Sequence, residues 1–251
     1  MRWNRQVGFF PAGLLLCSGF VLPWHGPSSC FLSGQESTPT ASPTPEPLSA
    51  PLVKHDAPPF LVMIDPSHGG QEKGALLSGG RAEKDVTLAW ARELRRQLEE
   101  RGVPARLLRE SDKTLSLDRR AEIVNKARPA IYVALHAAPL GNGVRVYTPA
   151  LPFPASASPG RFVSWETAQA ASLERSRSAA RAVALEMRKL GHRTNTFAVA
   201  LRPLNNLVVP AIAVEFSTAA KSSEYRVRQS ALASAIASGI VEVRGPLGVR
   251  P

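Results

Sequence analysis

Phe60-Leu-Val-Met-Ile-Asp-Pro-Ser-His-Gly-Gly70 is an apolar run that stops at Asp65-Pro66 and releases a histidine beside two glycines. Five consecutive apolar residues closed by Asp-Pro predict a buried strand followed by a turn. In an open α/β sheet, chemistry gathers just beyond the carboxyl ends of the strands, so His68 stands where a site is expected. Gly69 and Gly70 let the backbone pass close to whatever His68 holds.

Outward from this stretch, the chain alternates between two periodicities. Glu83 to Arg101 places Val86, Leu88, Ala89, Leu94 and Leu98 at helical spacings and stops at Gly102. Ala105–Leu108 is a short strand candidate. Ser116 opens a second helix as its cap, with acids in the first turn. Ile131–Leu135 and Val144–Tyr147 read as strands, Ser172–Leu190 as a helix closed by Gly191, Leu207–Val209 and Ala211–Phe216 as extended around Pro210, and Ser222–Val243 as the last helix. Strands alternating with helices predict one α/β domain, with a mostly parallel or mixed central sheet of about six strands flanked by helices on both faces.

Three more polar residues end or begin such elements. Glu83 opens the first helix, His136 follows Ile131–Leu135, and Glu215 ends Ala211–Val214. Each has an ordinary reading: a turn or core hydrogen bond for either histidine, a helix-dipole charge for Glu83, a strand-end ion pair for Glu215. A carboxylate directly after Ala-Ile-Ala-Val is nevertheless costly to leave unpaired. Two histidines and a glutamate at element ends are also a usual ligand set for catalytic zinc, with a second glutamate as general base. Asp65 either fixes the tautomer of a ligand imidazole or closes its own turn. His192, just past Gly191, reads as a surface residue.

Asp65-Pro-Ser-His-Gly-Gly70, Glu83-Lys-Asp-Val-Thr-Leu88, Leu117-Asp-Arg-Arg-Ala-Glu-Ile-Val-Asn125, Ala134-Leu-His-Ala137 and Pro210-Ala-Ile-Ala-Val-Glu215, in that order, resemble the zinc-dependent N-acetylmuramoyl-L-alanine amidases. The similarity runs from about Pro59 to Val243. It implies that His68, Glu83 and His136 hold zinc, and that Glu215 takes a proton from the attacking water and returns it to the leaving amine. The implied reaction cleaves the amide between N-acetylmuramic acid and L-alanine of the peptidoglycan stem peptide. A catalytically weak peptidoglycan-binding module of the same fold is the alternative. Three positions depart from the family: Ser67 replaces a usual glycine, Ala138 stands where asparagine often follows, and Phe216-Ser-Thr218 replaces a Gly-Phe-containing turn. Ser67 raises the question of whether its turn can form, because serine tolerates positive φ poorly.

The remainder of the chain bears on location and partners. Residues 1–32 have two arginines, then an apolar stretch broken by glycines and proline, the layout of a secretory leader that is cleaved, lipidated or retained as an anchor. Both cysteines, Cys17 and Cys30, fall there, so a metal site in the domain must be built from histidine and carboxylate. Residues 33–58, rich in Ser, Thr and Pro, predict a disordered tether, residues 59–245 the catalytic domain and 246–251 a tail. Arg2, Arg5 and Lys54 cancel Glu36, Glu46 and Asp56, so the formal +11 falls on the domain. That excess suits an anionic envelope polymer or is a solvated basic surface. The expectation is an exported monomer in the periplasm or cell envelope, acting on peptidoglycan without nucleic acid, with an envelope activator as a partner. Thr148–Thr167 combines five Pro/Gly breakers with Phe162 and Trp165, which suits a substrate-contacting loop, a lid or a packed surface loop.

Overall fold

A computed structural model describes residues 60–139, 141, 143–151, 167–218 and 225–248. The leader, the tether, Phe162 and Trp165 of the 148–167 loop, the start of the last expected helix and residues 249–251 lie outside them. Eight strands, β1 (Val62–Pro66), β2 (Leu76–Leu77), β3 (Arg81–Ala82), β4 (Ala105–Leu107), β5 (Ile131–Ala138), β6 (Val144–Pro149), β7 (Thr194–Val199) and β8 (Ala211–Ser217), are joined by five helices. These are α1 (Glu83–Glu99), α2 (Leu117–Ala127), α3 (Leu173–Lys189), α4 (Tyr225–Glu242) and α5 (Arg244–Gly248).

Six strands form one sheet in the order β4-β1-β5-β8-β6-β7, while β2 and β3 form a small hairpin. The four strands from β4 to β8 pair in parallel. β6 then reverses against β8, and β7 runs parallel to β6. The reversal brings the start of β6 to the rim at which β1, β5 and β8 end.

The two faces of the sheet are covered unequally. On one, Val62, Ile64, Val133, Leu135, Ile212 and Val214 pack with Trp90 and Leu94 of α1, Val183 of α3 and Ile236 of α4. On the other, among the described residues, Met63, Tyr132, Ala134 and Ala213 cluster with Ala121 and Val124 of α2, with Leu108 and Tyr147, and with the segment carrying Leu204, Leu207 and Val209. Side chains alternate along a strand, so the residues of β5 and β8 beyond Ala134 and Ala213 on this second face, His136 and Glu215, emerge past the end of that cover.

Local chemistry explains the element ends. α1 runs 17 residues along the stripe Val86, Trp90, Leu94, Leu98 and is followed by Gly102 at φ 67°, a left-handed position where glycine is favoured. Ser116 caps α2 by accepting from Arg119 N at 3.2 Å, as its hydroxyl is suited to do. Among the described residues no helix is long and apolar enough to cross a membrane.

Several expectations need correction. Leu207–Val209 is not a strand; Gln169 Nε2 donates to the carbonyls of Leu207 and Val209 instead. The folded part continues past 245 into α5, where Leu247 is buried. The β2–β3 hairpin and β7 were not anticipated. The turn after β1 forms with Ser67 in it, because the left-handed residues are His68, Gly69 and Gly70, at φ 65°, 136° and 59°. Asp65 does neither of the things expected of it: its carboxylate accepts from Arg120 Nη1 and from the Tyr132 hydroxyl.

Candidate metal centre

Two buried arginines hold the His68 turn by its carbonyls. Arg109 donates to Pro66 O at 2.9 Å and to Ser67 O and Lys84 O at 3.2 and 2.8 Å. Arg120, besides its bond to Asp65, donates to His68 O at 2.8 Å. The positive φ of a non-glycine residue is costly and persists only where its surroundings over-determine it. Here those donors supply the constraint.

Glu83, the first residue of α1, is locked to the chain before the β2–β3 hairpin: its N–H donates to Ala75 O and its Oε2 accepts from Ala75 N, both at 2.9 Å. Oε1 accepts from Ala137 N at 3.1 Å. The carboxylate bridges two imidazoles, with Oε2 3.1 Å from His68 Nε2 and Oε1 3.0 Å from His136 Nδ1. Burial opposes ionisation of Glu83, but the bonds from His136 and His68 outweigh it and hold the carboxyl well below the usual carboxylate range. Burial likewise opposes protonation of His68, and Glu83 and then Glu72 outweigh it and raise its pKa.

One ligand atom from each of His68, Glu83 and His136 lies within 4.8 Å of the others. The donor set is two imidazoles and one carboxylate, a combination that suits zinc and leaves a position open. The far nitrogen of each ring is also engaged: His68 Nδ1 lies 3.0 Å from Glu72 Oε1, and His136 Nε2 lies 2.8 Å from Ser67 Oγ. Such partners fix tautomer and ring orientation in metal sites, so the residues present fit a metal.

Glu215 is not part of this cluster, but it is its neighbour. In the β5–β8 register His136 faces Glu215, and in β8–β6 Glu215 faces Arg145. The three side chains therefore stand in one row on the less covered face. Arg145 Nη1 is ion-paired with Glu215 Oε1. His192 is half-buried beyond the end of α3 and does not join the group.

Sequence reasoning noted Ser67 only for its turn and not as a partner of His136, and it missed Glu72, Gly74 and Arg145. A Cβ on Gly74, itself at φ 69°, would lie 2.6 Å from His68 Cδ2 and 2.7 Å from Glu83 Oε2. Only glycine leaves room for both side chains. Nothing local to Glu-Lys-Gly signals that approach. Arg145, by contrast, was detectable as the one cation in the strand Val-Arg-Val-Tyr-Thr-Pro.

Comparison with known proteins gives the arrangement a context. A family model described as N-acetylmuramoyl-L-alanine amidase matches residues 62–242. N-acetylmuramoyl-L-alanine amidase AmiA of Salmonella typhimurium is 39% identical over 89 residues, 36% of this chain and 31% of that protein. AmiC of Neisseria meningitidis is 36% identical over 91 residues, 35% of this chain and 22% of that protein. The chain thus spans about a third or less of the length of these curated relatives. Among solved structures, AmiC2 of Nostoc punctiforme superposes with TM-score 0.56 at 26% identity, covering 73% of this chain and 96% of that one. The CwlD amidase of Clostridioides difficile, solved in complex with the GerS lipoprotein, shares the fold at TM-score 0.55 and 22% identity, covering 73% and 97%.

Proposed function

The chain belongs to the N-acetylmuramoyl-L-alanine amidase family, and from that premise we propose that it hydrolyses the amide joining N-acetylmuramic acid to L-alanine of the stem peptide in peptidoglycan. The observation that carries this reading is the placement of Glu215 one strand from His136, on the rim where His68, Glu83 and His136 converge.

In this reading His68, Glu83 and His136 hold zinc. Bound zinc supplies a Lewis acid that polarises the scissile carbonyl and lowers the pKa of water to about 7. Glu72 and Ser67 keep the far ring nitrogens occupied, so that His68 Nε2 and His136 Nδ1 are the ones presented. Glu215 accepts the proton of the attacking water on a carboxylate oxygen and later delivers it to the leaving nitrogen. Its bond to Arg145 holds that carboxylate in position beside His136. Export to the periplasm or cell envelope is part of the proposal, supported by the charged-then-apolar residues 1–32. An envelope activator belongs to it as well, by analogy with CwlD, which was solved with a lipoprotein.

Digestion of purified sacculi by the protein, with and without a chelator, tests the reading. Release of free stem peptides that stops on chelation and returns with zinc is expected. Glu215→Gln should keep its metal and fold while losing about 100- to 10,000-fold in rate, the usual worth of a general acid–base group. Binding to sacculi without release of any peptide, with zinc present, would mean that the chain is a binding module instead.

A further inference from the structure

The row that begins at His136 does not stop at Arg145. In the β6–β7 register Arg145 faces Asn195, so His136, Glu215, Arg145 and Asn195 stand side by side across β5, β8, β6 and β7. Beside the last two lies a cleft of about 140 Å³ lined by Gly141, Gly143, Val144, Arg145, Arg193 and Asn195. Among the described residues the lining includes two arginines and one asparagine and no acid. Glu215 engages Arg145 through Nη1. Arg145 Nη2 points toward Gly141, where a Cβ would lie 3.2 Å from it. The Arg145 side chain is 39% exposed, so ligand can reach it. The Arg193 backbone is fixed at the cleft by Val144 N, which donates to Arg193 O at 2.9 Å. Among the described residues neither the Arg193 nor the Asn195 side chain has a protein partner.

We propose that this cleft binds a carboxylate of the stem peptide, so that the row is a track along which the peptide lies from the scissile amide outward. The inference rests on the amidase reading for the identity of the peptide, and on the cleft for the group it recognises. Guanidinium forks match carboxylates in two-pronged fashion, and the Asn195 amide adds a neutral donor. Distance restricts which carboxylate can serve. Neighbouring strands are about 4.8 Å apart, so Arg145 stands about 10 Å and Asn195 about 14 Å from the His136 position. An extended peptide advances about 3.3–3.6 Å per residue. The recognised carboxylate therefore belongs to about the third or fourth residue counted from the scissile bond. Arg145 has a double role: its Nη1 holds Glu215 while its other edge faces the cleft. A ligand carboxylate there sets the peptide relative to the group that handles the proton.

The test compares soluble muropeptides in which each stem-peptide carboxylate is converted singly to a carboxamide. Binding is measured by calorimetry to the metal-free full chain, which removes hydrolysis from the readout. One member of the series should bind wild type about five- to tenfold more weakly, the worth of a partly exposed charged contact. The same conversion should have little effect on Arg193→Ala or Asn195→Ala, since those variants have already lost the interaction. In the zinc-loaded protein both variants should raise KM and leave kcat near its starting value. Equal binding of all members, no binding of any, or an unchanged penalty in both variants would overturn the proposal. If zinc-loaded wild type releases no peptide while the carboxylate dependence of binding persists, the amidase reading fails and the carboxylate cleft stands.

Discussion

Asp65 and Glu83 are both buried carboxylates at the ends of their elements, 1% and 5% exposed. Their surroundings differ in kind. Asp65 accepts from Arg120 and Tyr132, both almost wholly buried. Burial and the facing Asp65 push the Tyr132 hydroxyl well above its usual pKa, so that it remains a donor. That network is closed: a fixed cation neutralises the acid. Glu83 is held by two backbone amides and two imidazoles, and the imidazoles can release a proton and turn a lone pair toward a cation. The lesson is that burial of a carboxylate does not mark a site. What distinguishes a site is whether the partners are permanent charges or exchangeable ones.

Matched substitutions can break that comparison. Asp65→Asn leaves Arg120 buried without its counter-charge and should cost about 3–5 kcal/mol, read by urea unfolding, with metal affinity in the folded fraction little changed. Glu83→Gln should do the reverse: circular dichroism stays native, while zinc affinity falls by about 100-fold or more, beyond the 10- to 100-fold typical of residues that only support a ligand. If both variants fail in the same assay, the division between closed and exchangeable carboxylates is wrong. Ser67→Ala sharpens the point, because it removes the partner of His136 Nε2 without touching a ligand atom. It should cost about tenfold in zinc affinity, measured by competition with a chelating dye, while unfolding stays within about 1 kcal/mol of wild type.

The smallest effect concerns pH. In the metal-free protein His68 has a folded pKa above its ordinary 6.5, since Glu83 and Glu72 outweigh the opposing effect of burial. Its contribution to stability is therefore complete below pH 6.5 and is lost as pH rises through the folded value. A fall in melting temperature above that range, worth about 1 kcal/mol or less after screening, should be seen without metal. It should reverse with zinc, which requires the neutral ring. Glu83→Gln removes the larger of the two carboxylate contributions that raise the His68 pKa, so it should flatten the metal-free profile.

Much of this was readable in the sequence because the central strands are buried on both faces. Val62–Ile64, Ile131–Leu135 and Ala211–Val214 appear as unbroken apolar runs, and the polar residue that ends each run marks the rim. α1 was readable from its stripe and α2 from Ser116. β7 was not, because Asn195 to Ala198 are exposed and an edge strand with little burial carries no periodic signal. The partners of Asp65 were also hidden: Arg120 and Tyr132 lie 55 and 67 residues away, and no local pattern couples them. Nor can a sequence show that a side chain on Gly74 would collide with His68 and Glu83.

The reversal of β6 against β8 divides the rim into two parts built from different elements. The start of β6, at Gly143 and Val144, and the chain leading into β7 at Arg193 meet at one corner of the rim. None of these residues holds the cluster of His68, Glu83 and His136, which is built from β1, α1 and β5. Substitution at Arg145, Arg193 or Asn195 therefore changes what lies beside Glu215 without touching a residue of the cluster. That separation makes the corner a place where new contacts can be grafted while the residues of the cluster keep their supports.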